Sequence, residues 1–188
     1  MRRIKAPFIV GVVGLAGSGK STATSVYASW GFEVVYFGQV VLDEVKRRGL
    51  ELNHENERTV RESLRADFGM AVIAERSVPA ITTHLSEGKS VVIDGIYSMV
   101  EVETLRLRFG ETLSLLAVHC PTRERLVRAR GRAQRPLSED DLVKRDAHEL
   151  DYLDKARPIV LADEHVLNDG TVRTLRRRLR TATGWMQT

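Results

Sequence analysis

The 188-residue chain is poor in cysteine and in aromatic residues, and it contains no long apolar run. A single cysteine, Cys120, excludes an intramolecular disulfide and suits a reducing compartment. No stretch reaches the roughly 20 apolar residues that a membrane helix needs, and no apolar segment follows residues 1–3 as in a signal peptide. These absences lead us to expect a cytoplasmic protein that is not held in a membrane.

Charge of one sign is in only small excess. The 29 Lys and Arg residues against 25 Asp and Glu residues give a net charge of +4. A surplus of arginine suits either nucleic acid or a pocket for polyphosphates. The sequence has no known nucleic-acid motif and no interleaved aromatic and basic residues, so we favour polyphosphates and expect no specific nucleic-acid binding. The five histidines lack the spacing of metal ligands, which argues against structural zinc.

The length and the pattern of the chain indicate one α/β domain. An apolar fraction of 43% is enough for a core, and we find no repeat and no linker. Five short apolar segments alternate with helical segments, a pattern that predicts a parallel sheet covered by helices. Residues 49–86 are expected to be helical with a loop at 53–56, and Val60, Leu64 and Phe68 recur at the spacing of a buried helix face. Pro79 is expected to start or kink a helix.

The most informative stretch begins with an apolar segment at residues 8–13, which is typical of a buried parallel strand. The next eight residues fit G-x-x-x-x-G-K-[ST], the phosphate-binding P-loop, and a helix is predicted over residues 22–30 with Gly31 as its stop. A glycine turn without a ligand is the alternative, but the strand before it and the helix after it favour the P-loop. The expected ATP-binding residues of this loop are Gly14, Ala16, Gly17, Ser18, Gly19, Lys20, Ser21 and Thr22.

Two further features of the sequence predict a metal beside the loop. Lys20 is expected to reach the β- and γ-phosphates, and the Ser21 hydroxyl is expected to bind Mg²⁺. Residues 90–95 form another apolar segment that ends in Asp94, as in the Walker B arrangement, where a strand delivers a carboxylate to Mg²⁺. We therefore predict ATP and Mg²⁺ as cofactors, with Ser21 and Asp94 as metal ligands.

The additional Gly17 makes the loop G-x-x-G-x-G-K-S, which resembles the loop of nucleoside monophosphate kinases and related small-molecule kinases. Over nearly its full length the chain resembles the archaeal adenylate-kinase-related P-loop family, also described as dephospho-CoA-kinase-like. The resemblance implies a three-layer P-loop NTPase fold with the strand order 2-3-1-4-5. It also implies one kinase domain over residues 1–188, with a helical acceptor-binding insert at about 38–86 and a short lid at about 130–136.

A basic cluster follows a predicted helix at residues 122–130, for which Thr122 is the expected N-cap. In the resembling kinases an arginine-bearing lid folds over ATP at this place. Arg130 and Arg132 match the Arg-Gly-Arg run of that family, and Arg145 resembles the arginine that follows the lid, so the three join Lys20 as expected catalytic residues. A basic surface loop is the alternative interpretation.

Two other sites are expected after the lid. Ser138 and Asp141 have the spacing of a capping box at a helix start. The resemblance places Asn168, after the last strand, near the adenine of ATP.

The acceptor side departs from the pattern of the resembling kinases. Gln39 stands where those kinases carry an aspartate after the second strand, and Tyr97 lies where they place an arginine after Asp94-Gly95. We predict that Gln39, Gly95 and Tyr97 contact the acceptor, with Tyr97 stacking on a base or donating its hydroxyl. A half-buried surface aromatic is the alternative for Tyr97.

Three arginines, Arg58, Arg61 and Arg65, lie at spacings of three and four residues on one predicted helix. A solvated helix face is one interpretation of this pattern. The other is a phosphate clamp, because a guanidinium can hold phosphate through two hydrogen bonds. In the family pattern an arginine on this helix grips the acceptor phosphate, and we assign this role to Arg65.

The residues leave three functions open. A phosphate acceptor needs clamping arginines, whereas a hydroxyl acceptor benefits from a carboxylate near its proton. Because Gln39 offers no carboxylate, we favour a nucleoside monophosphate acceptor, but Asp43 keeps a hydroxyl acceptor such as dephospho-CoA open. A regulatory ATPase without an acceptor is the third function. The expected partners are ATP and a small nucleotide-like acceptor, and the expected state is a monomer or a small homo-oligomer.

Overall fold

A computed structural model describes residues 6–131 and 137–184. Five parallel strands form one sheet in the order β2-β3-β1-β4-β5, which confirms the predicted fold class and strand order. The strands are β1 (Ile9–Val13), β2 (Glu33–Tyr36), β3 (Val91–Asp94), β4 (Leu113–His119) and β5 (Glu164–Leu167).

Helices connect the strands and cover both faces of the sheet. Three of them, α2, α3 and α4, lie between β2 and β3, where the insert was predicted. In chain order the α-helices of the described residues are α1 (Lys20–Ala28), α2 (Gly38–Arg47), α3 (His54–Phe68), α4 (Val72–Ser86), α5 (Met99–Phe109), α6 (Thr122–Arg130), α7 (Glu139–Asp151), α8 (Ala156–Val160) and α9 (Val172–Ala182). Within the described ranges, no helix is long and apolar enough to cross a membrane.

The two faces of the central strands bury separate apolar layers. Ile9 and Val13 of β1 belong to one fully buried cluster with residues of α2–α5, and Val10 and Val12 belong to another with residues of α1 and α9. A strand that is buried on both faces must be apolar throughout, which is why residues 8–13 show no alternation. This packing holds the end of β1, from which the P-loop emerges, in a fixed position.

The register of the sheet brings together the two sequence motifs. Val12 of β1 pairs with Asp94 at the end of β3, and Gly14 begins the P-loop two residues later. On its other side β3 pairs with β2, so that Tyr36 is the partner of Asp94. The carboxyl ends of β1, β2 and β3 therefore place the loop, Asp94 and Tyr36 at one edge of the sheet.

The insert differs from its prediction in three respects. Residues 53–56 are not a loop, because Asn53 caps α3 by accepting a hydrogen bond from the Asn56 N–H at 2.9 Å. Phe68 does not face the core but is 59% exposed, with the Arg76 guanidinium 4.8 Å from its ring centroid. Pro79 lies inside α4 and does not start a helix, while the alternative of a kink stays a prediction. Asparagine is a strong capping residue, and this cap outweighed the loop-like composition.

Two helices near the P-loop begin at residues other than those predicted. Helix α1 begins at Lys20 rather than at residue 22, and Pro121 rather than Thr122 occupies the N-cap of α6. The capping box at the start of α7 is confirmed, since Ser138 Oγ accepts the Asp141 N–H at 3.1 Å. Arg132 and residues 133–136 of the predicted lid lie outside the described residues.

Candidate active site

The P-loop has the backbone conformation of an anion-binding turn. Gly14, Gly17 and Gly19 have φ angles of 147°, 79° and 99°, a region that other residues rarely adopt. The first backbone hydrogen bond of α1 joins the Ala23 N–H to the Gly19 carbonyl. The N–H groups of Lys20, Ser21 and Thr22 therefore have no acceptor within the helix. Together with the positive end of the helix dipole, they can bind a phosphate group.

Two glycines are required by distant parts of the chain. A Cβ at Gly17 would lie 2.8 Å from the Arg125 carbonyl oxygen, and one at Gly19 would overlap the Asn168 carboxamide. Asn168 Nδ2 donates to the Ser18 carbonyl at 2.8 Å, and its side chain is buried. Asn168, which was expected near adenine, thus braces the P-loop; its contact with ATP stays a prediction.

A buried ion pair braces the same loop from α6 and α7. The Arg125 guanidinium donates to both carboxylate oxygens of Asp146, at 3.0 and 2.6 Å. It also donates to the Ala16 carbonyl at 2.9 Å. The sequence analysis did not identify this pair, because no local pattern connects residues 21 positions apart.

Lys20 lies over the loop that carries it. Its Nζ donates to the carbonyl oxygens of Gly14 and Leu15, at 2.8 and 3.0 Å. Burial, and after it the nearby charge of Lys155, lowers the pKa of Lys20 to about 7. A bound phosphate would supply the anionic partner that the two carbonyl groups replace only in part.

Asp94 and Ser21 present two neighbouring oxygen donors beside Lys20. The Ser21 hydroxyl lies close to the Asp94 carboxylate. Burial raises the pKa of Asp94, while the charges of Lys20 and Lys155 act in the opposite direction. Hard oxygen ligands of this kind suit Mg²⁺, which normally takes few protein ligands and completes its shell with phosphate and water. The residues present therefore fit the predicted metal.

A cluster of charged side chains forms the wall opposite the P-loop. Glu149 of α7 accepts hydrogen bonds from Arg145 Nε at 2.9 Å and from Lys155 Nζ at 2.5 Å. Arg145 also lies close to the Tyr97 hydroxyl, and Lys155 Nζ lies 4.2 Å from the centre of the Tyr97 ring. Arg145 was predicted for this region, whereas Lys155 and Glu149 were missed.

On the acceptor side, an "acceptor wall" consists of Tyr36, Arg61 and Tyr97. Burial raises the pKa of Tyr36, the neighbouring Tyr97 and Asp94 raise it further, and the charge of Arg61 lowers it. Arg61 likewise opposes the raised pKa of Tyr97, of which burial is the main cause. The middle arginine of the predicted series is thus close enough for its charge to act on both tyrosines.

Arg65, which was assigned to the acceptor phosphate, lies behind this wall. Its Nη2 is 3.5 Å from Glu101 Oε1, and the two side chains are 9% and 0% exposed. The other Glu101 oxygen accepts the Tyr97 N–H at 2.7 Å and the Ser98 N–H at 3.1 Å. In this structure, Arg65 therefore supports the segment that carries Tyr97, and its contact with a phosphate stays a prediction.

The remaining predicted residues lie at the margins of the site. Gln39 is exposed on α2, and its side-chain amide donates a hydrogen bond to the Asp43 carboxylate at 2.7 Å. The two side chains are therefore partners of each other. Gly95 has a φ of 98° and packs next to the Phe37 Cβ. Arg130 is exposed and pairs with Glu139 at 3.1 Å. These positions leave the predicted roles of Gln39, Gly95 and Arg130 untested.

A mostly apolar pocket of about 200 Å³ lies beside the P-loop. Leu15 and Ser18 line it from the loop, and Ala156, Ile159 and Val160 line it from α8. The apolar lining does not suit a triphosphate, but the pocket shows that α8 and the residues before it border the P-loop directly.

Comparison with known proteins agrees with this geometry. Residues 10–168 match the family described as an AAA domain. A UPF0200 protein of Thermococcus onnurineus is 39% identical over 164 residues, which cover 86% of this chain and 88% of that protein. A UPF0200/UPF0201 protein of Archaeoglobus fulgidus is 39% identical over 165 residues, 87% of this chain, and this chain spans 51% of the length of that protein.

Solved structures share the fold at low sequence identity. TT1252 from Thermus thermophilus has a TM-score of 0.69 and 20% identity, covering 98% of this chain and 100% of that one. Shikimate kinase from Aquifex aeolicus has a TM-score of 0.55 and 19% identity, with coverage of 94% and 96%. Dephospho-CoA kinase from Campylobacter jejuni has a TM-score of 0.53 and 16% identity, with coverage of 96% and 98%. The chain has a P-loop kinase-like fold, and by its sequence it belongs to the UPF0200 family.

Proposed function

We propose that this protein transfers the γ-phosphoryl group of ATP, with Mg²⁺, to a small nucleotide, and that the acceptor is a nucleoside monophosphate. One observation carries the proposal. Lys20, Ser21 and Asp94 meet at the N-terminus of α1, while Arg145 and Lys155 supply positive charge from the opposite side.

Phosphoryl transfer depends more on positioning and on charge neutralisation than on covalent chemistry. The loop N–H groups and Lys20 hold the phosphates, and Arg145 faces them from α7. Ser21 and Asp94 would hold Mg²⁺, which neutralises charge on the phosphate oxygens. Arg130 and Arg132 of the predicted lid are proposed to add charge and to exclude water on closure.

The nature of the acceptor wall supports a monophosphate. Arg61 provides a cation for phosphate, and Tyr36 and Tyr97 provide aromatic faces and hydroxyl groups for a nucleotide. Gln39 has no carboxylate, and its amide donates to one oxygen of Asp43 at 2.7 Å on the exposed face of α2. With Arg65, Gln39 and Gly95 retained as predicted contacts, this arrangement is closest to the adenylate-kinase-related interpretation.

A hydroxyl acceptor is the second candidate, and Asp94 favours it. Its carboxylate lies beside Tyr36 and Tyr97, and burial raises its pKa toward the range of a general base. Shikimate kinase and dephospho-CoA kinase, whose folds this chain shares, are named for substrates that carry hydroxyl groups.

A phosphotransfer panel distinguishes these possibilities. MgATP is incubated with AMP, CMP, UMP, dTMP, GMP, dephospho-CoA, shikimate or no acceptor, and the products are separated. A nucleoside diphosphate formed from one monophosphate is the expected result. A phosphorylated hydroxyl acceptor would select the second candidate. Release of ADP at the same rate with and without every acceptor would contradict both and indicate a regulatory ATPase.

A further inference from the structure

Lys155 is buried to a degree that is unusual for a lysine. Its side chain is 1% exposed, and its ammonium group lies 2.5 Å from the Glu149 carboxylate and 4.2 Å from the centre of the Tyr97 ring. Removing a lysine and a glutamate from water has a large desolvation cost, which their attraction offsets only in part. An apolar pair of similar volume would fill the same space without that cost, so stability alone does not explain the lysine.

The backbone next to Lys155 is strained as well. Asp154 has a φ of 51°, and it is the one non-glycine residue with a positive φ in the described ranges. A non-glycine residue is uncommon in this region and persists where the surroundings enforce it. The Lys155 N–H is in turn tied to the Glu149 carbonyl at 3.2 Å. The turn between α7 and α8 thus has a fixed, uncommon backbone conformation at the point where the side chain of Lys155 is buried.

The inward direction leads to the phosphate site. Ala156, the next residue, lines the same pocket as Leu15 and Ser18 of the P-loop. Tyr97, under the ammonium group, is three residues beyond Asp94. Lys155 therefore lies between the P-loop and the segment after β3, where its charge acts on both Lys20 and Asp94.

We propose that Lys155 is a second phosphate-binding lysine, and that it breaks its ion pair with Glu149 in order to contact the γ-phosphoryl group of bound ATP during transfer. The proposal rests on the function proposed above and adds a catalytic residue to it. Glu149 keeps Arg145 as a partner at 2.9 Å when Lys155 leaves, so the carboxylate does not remain buried without a cation. Tyr97 provides a face along which the ammonium group stays stabilised.

The chemical step balances without any proton transfer to or from Lys155. An oxygen of the acceptor phosphate forms a new bond to the γ-phosphorus. The bond from that phosphorus to the β,γ-bridging oxygen breaks, and ADP leaves with the electron pair. Lys155 exchanges no proton in this step. Its positive charge stabilises the negative charge on the three equatorial oxygens of the γ-phosphoryl group, which Lys20 and a bound Mg²⁺ ion would neutralise only in part.

The test separates a γ-phosphate contact from a structural ion pair. MgADP and the ATP analogue MgAMP-PNP are titrated into the wild type and into Lys155→Met by calorimetry. We expect the Kd of AMP-PNP to rise by about 10- to 100-fold, the loss of one hydrogen bond to a charged group, while the Kd of ADP stays within about twofold. Lys144→Met, on the exposed face of α7, is the matched control and should leave both affinities unchanged.

Two results would overturn the proposal. A parallel loss of both nucleotides, with a lower melting temperature, would indicate a purely structural pair, and unchanged AMP-PNP affinity would remove Lys155 from the phosphates. If Lys155→Met does not fold, the double variant Lys155→Met/Glu149→Gln avoids an unpaired buried carboxylate and is measured against Glu149→Gln alone.

Failure of the Lys155 proposal can be distinguished from failure of the proposed function. If the wild type binds both nucleotides but transfers phosphate to no acceptor in the panel, phosphotransferase activity is refuted, and the AMP-PNP result still decides the role of Lys155. If the wild type binds neither nucleotide, both proposals fail.

Discussion

The two sides of the site are built in different ways. The nucleotide side depends on backbone: glycines at three positive φ angles, a helix N-terminus and a loop braced by buried Arg125 and Asn168. The acceptor side depends on side chains from separate elements, and some of them are open to solvent. Tyr36 is 49% exposed, Gln39 is exposed, and Arg61 is half-buried.

This difference indicates how each side recognises its ligand. Backbone N–H groups can bind any phosphate, so a motif of eight residues is enough to create the site. In the proposed function, side chains from β2, α3 and the segment after β3 would select a particular acceptor, and a change in one of them would alter that choice. We therefore expect the strongest general losses from the nucleotide side and selective losses from the acceptor side.

The largest effect is expected from Lys20→Ala. Removing the ammonium group from the P-loop deprives the phosphates of a buried cation, so phosphotransfer should fall by about 10²- to 10³-fold, as when one preorganised donor is removed. Because Lys20 bonds to only two loop carbonyls, the circular dichroism spectrum should be unchanged. Lys46→Ala, at an exposed position of α2, is the control. Undiminished turnover of Lys20→Ala would exclude the loop from the mechanism.

Arg125→Ala breaks the brace instead of the loop. It leaves Asp146 and the Ala16 carbonyl without their partner, and breaking a buried ion pair costs about 3–5 kcal/mol of unfolding free energy. Urea denaturation measures this loss, and the KM for ATP should rise at the same time. Arg123→Ala, which is exposed on the same helix, should change neither. A variant of full stability would show that the loop holds its shape unaided.

Arg61→Ala and Arg65→Ala sharpen the comparison within the acceptor side. Arg61→Ala should raise the KM for the acceptor by about 10- to 100-fold with little change in the KM for ATP, since it removes one charged hydrogen bond. Arg65→Ala should mainly lower the melting temperature, because Glu101 becomes a buried carboxylate without its cation. If only Arg65→Ala changed the acceptor KM, the original assignment of the clamp to Arg65 would be correct.

The smallest expected effect is a loss of folding stability at acidic pH. Glu44 of α2 accepts hydrogen bonds from Arg47 and Arg48, which lower its pKa from 4.5 to about 2. A depressed folded pKa means that this stabilisation is complete above pH 4.5 and is lost as the pH falls toward 2. Wild type should therefore be more stable than Glu44→Gln at pH 7, with a difference that narrows by pH 3. A constant difference in melting temperature across this range would contradict the assignment.

Local patterns were sufficient for some features of the protein. The P-loop, the strand ending in Asp94, the five-strand count and the capping box at Ser138 all depend on residues that are near each other in the chain. Strand order was available from the resemblance. Errors arose where a local choice was ambiguous, as at Asn53, which caps a helix in a segment that has the composition of a loop.

The sequence by itself therefore determined the fold class and the phosphate loop, because φ angles, apolar runs and caps are properties of contiguous residues. Only the tertiary structure decided that Arg125 pairs with Asp146, that Arg65 is buried beside Glu101, and that Lys155 is buried against Glu149. The physical reason is that burial and charge pairing depend on which distant elements the sheet brings together. An arginine or lysine in a polar stretch has the same local pattern whether it lies in solvent or beside a phosphate.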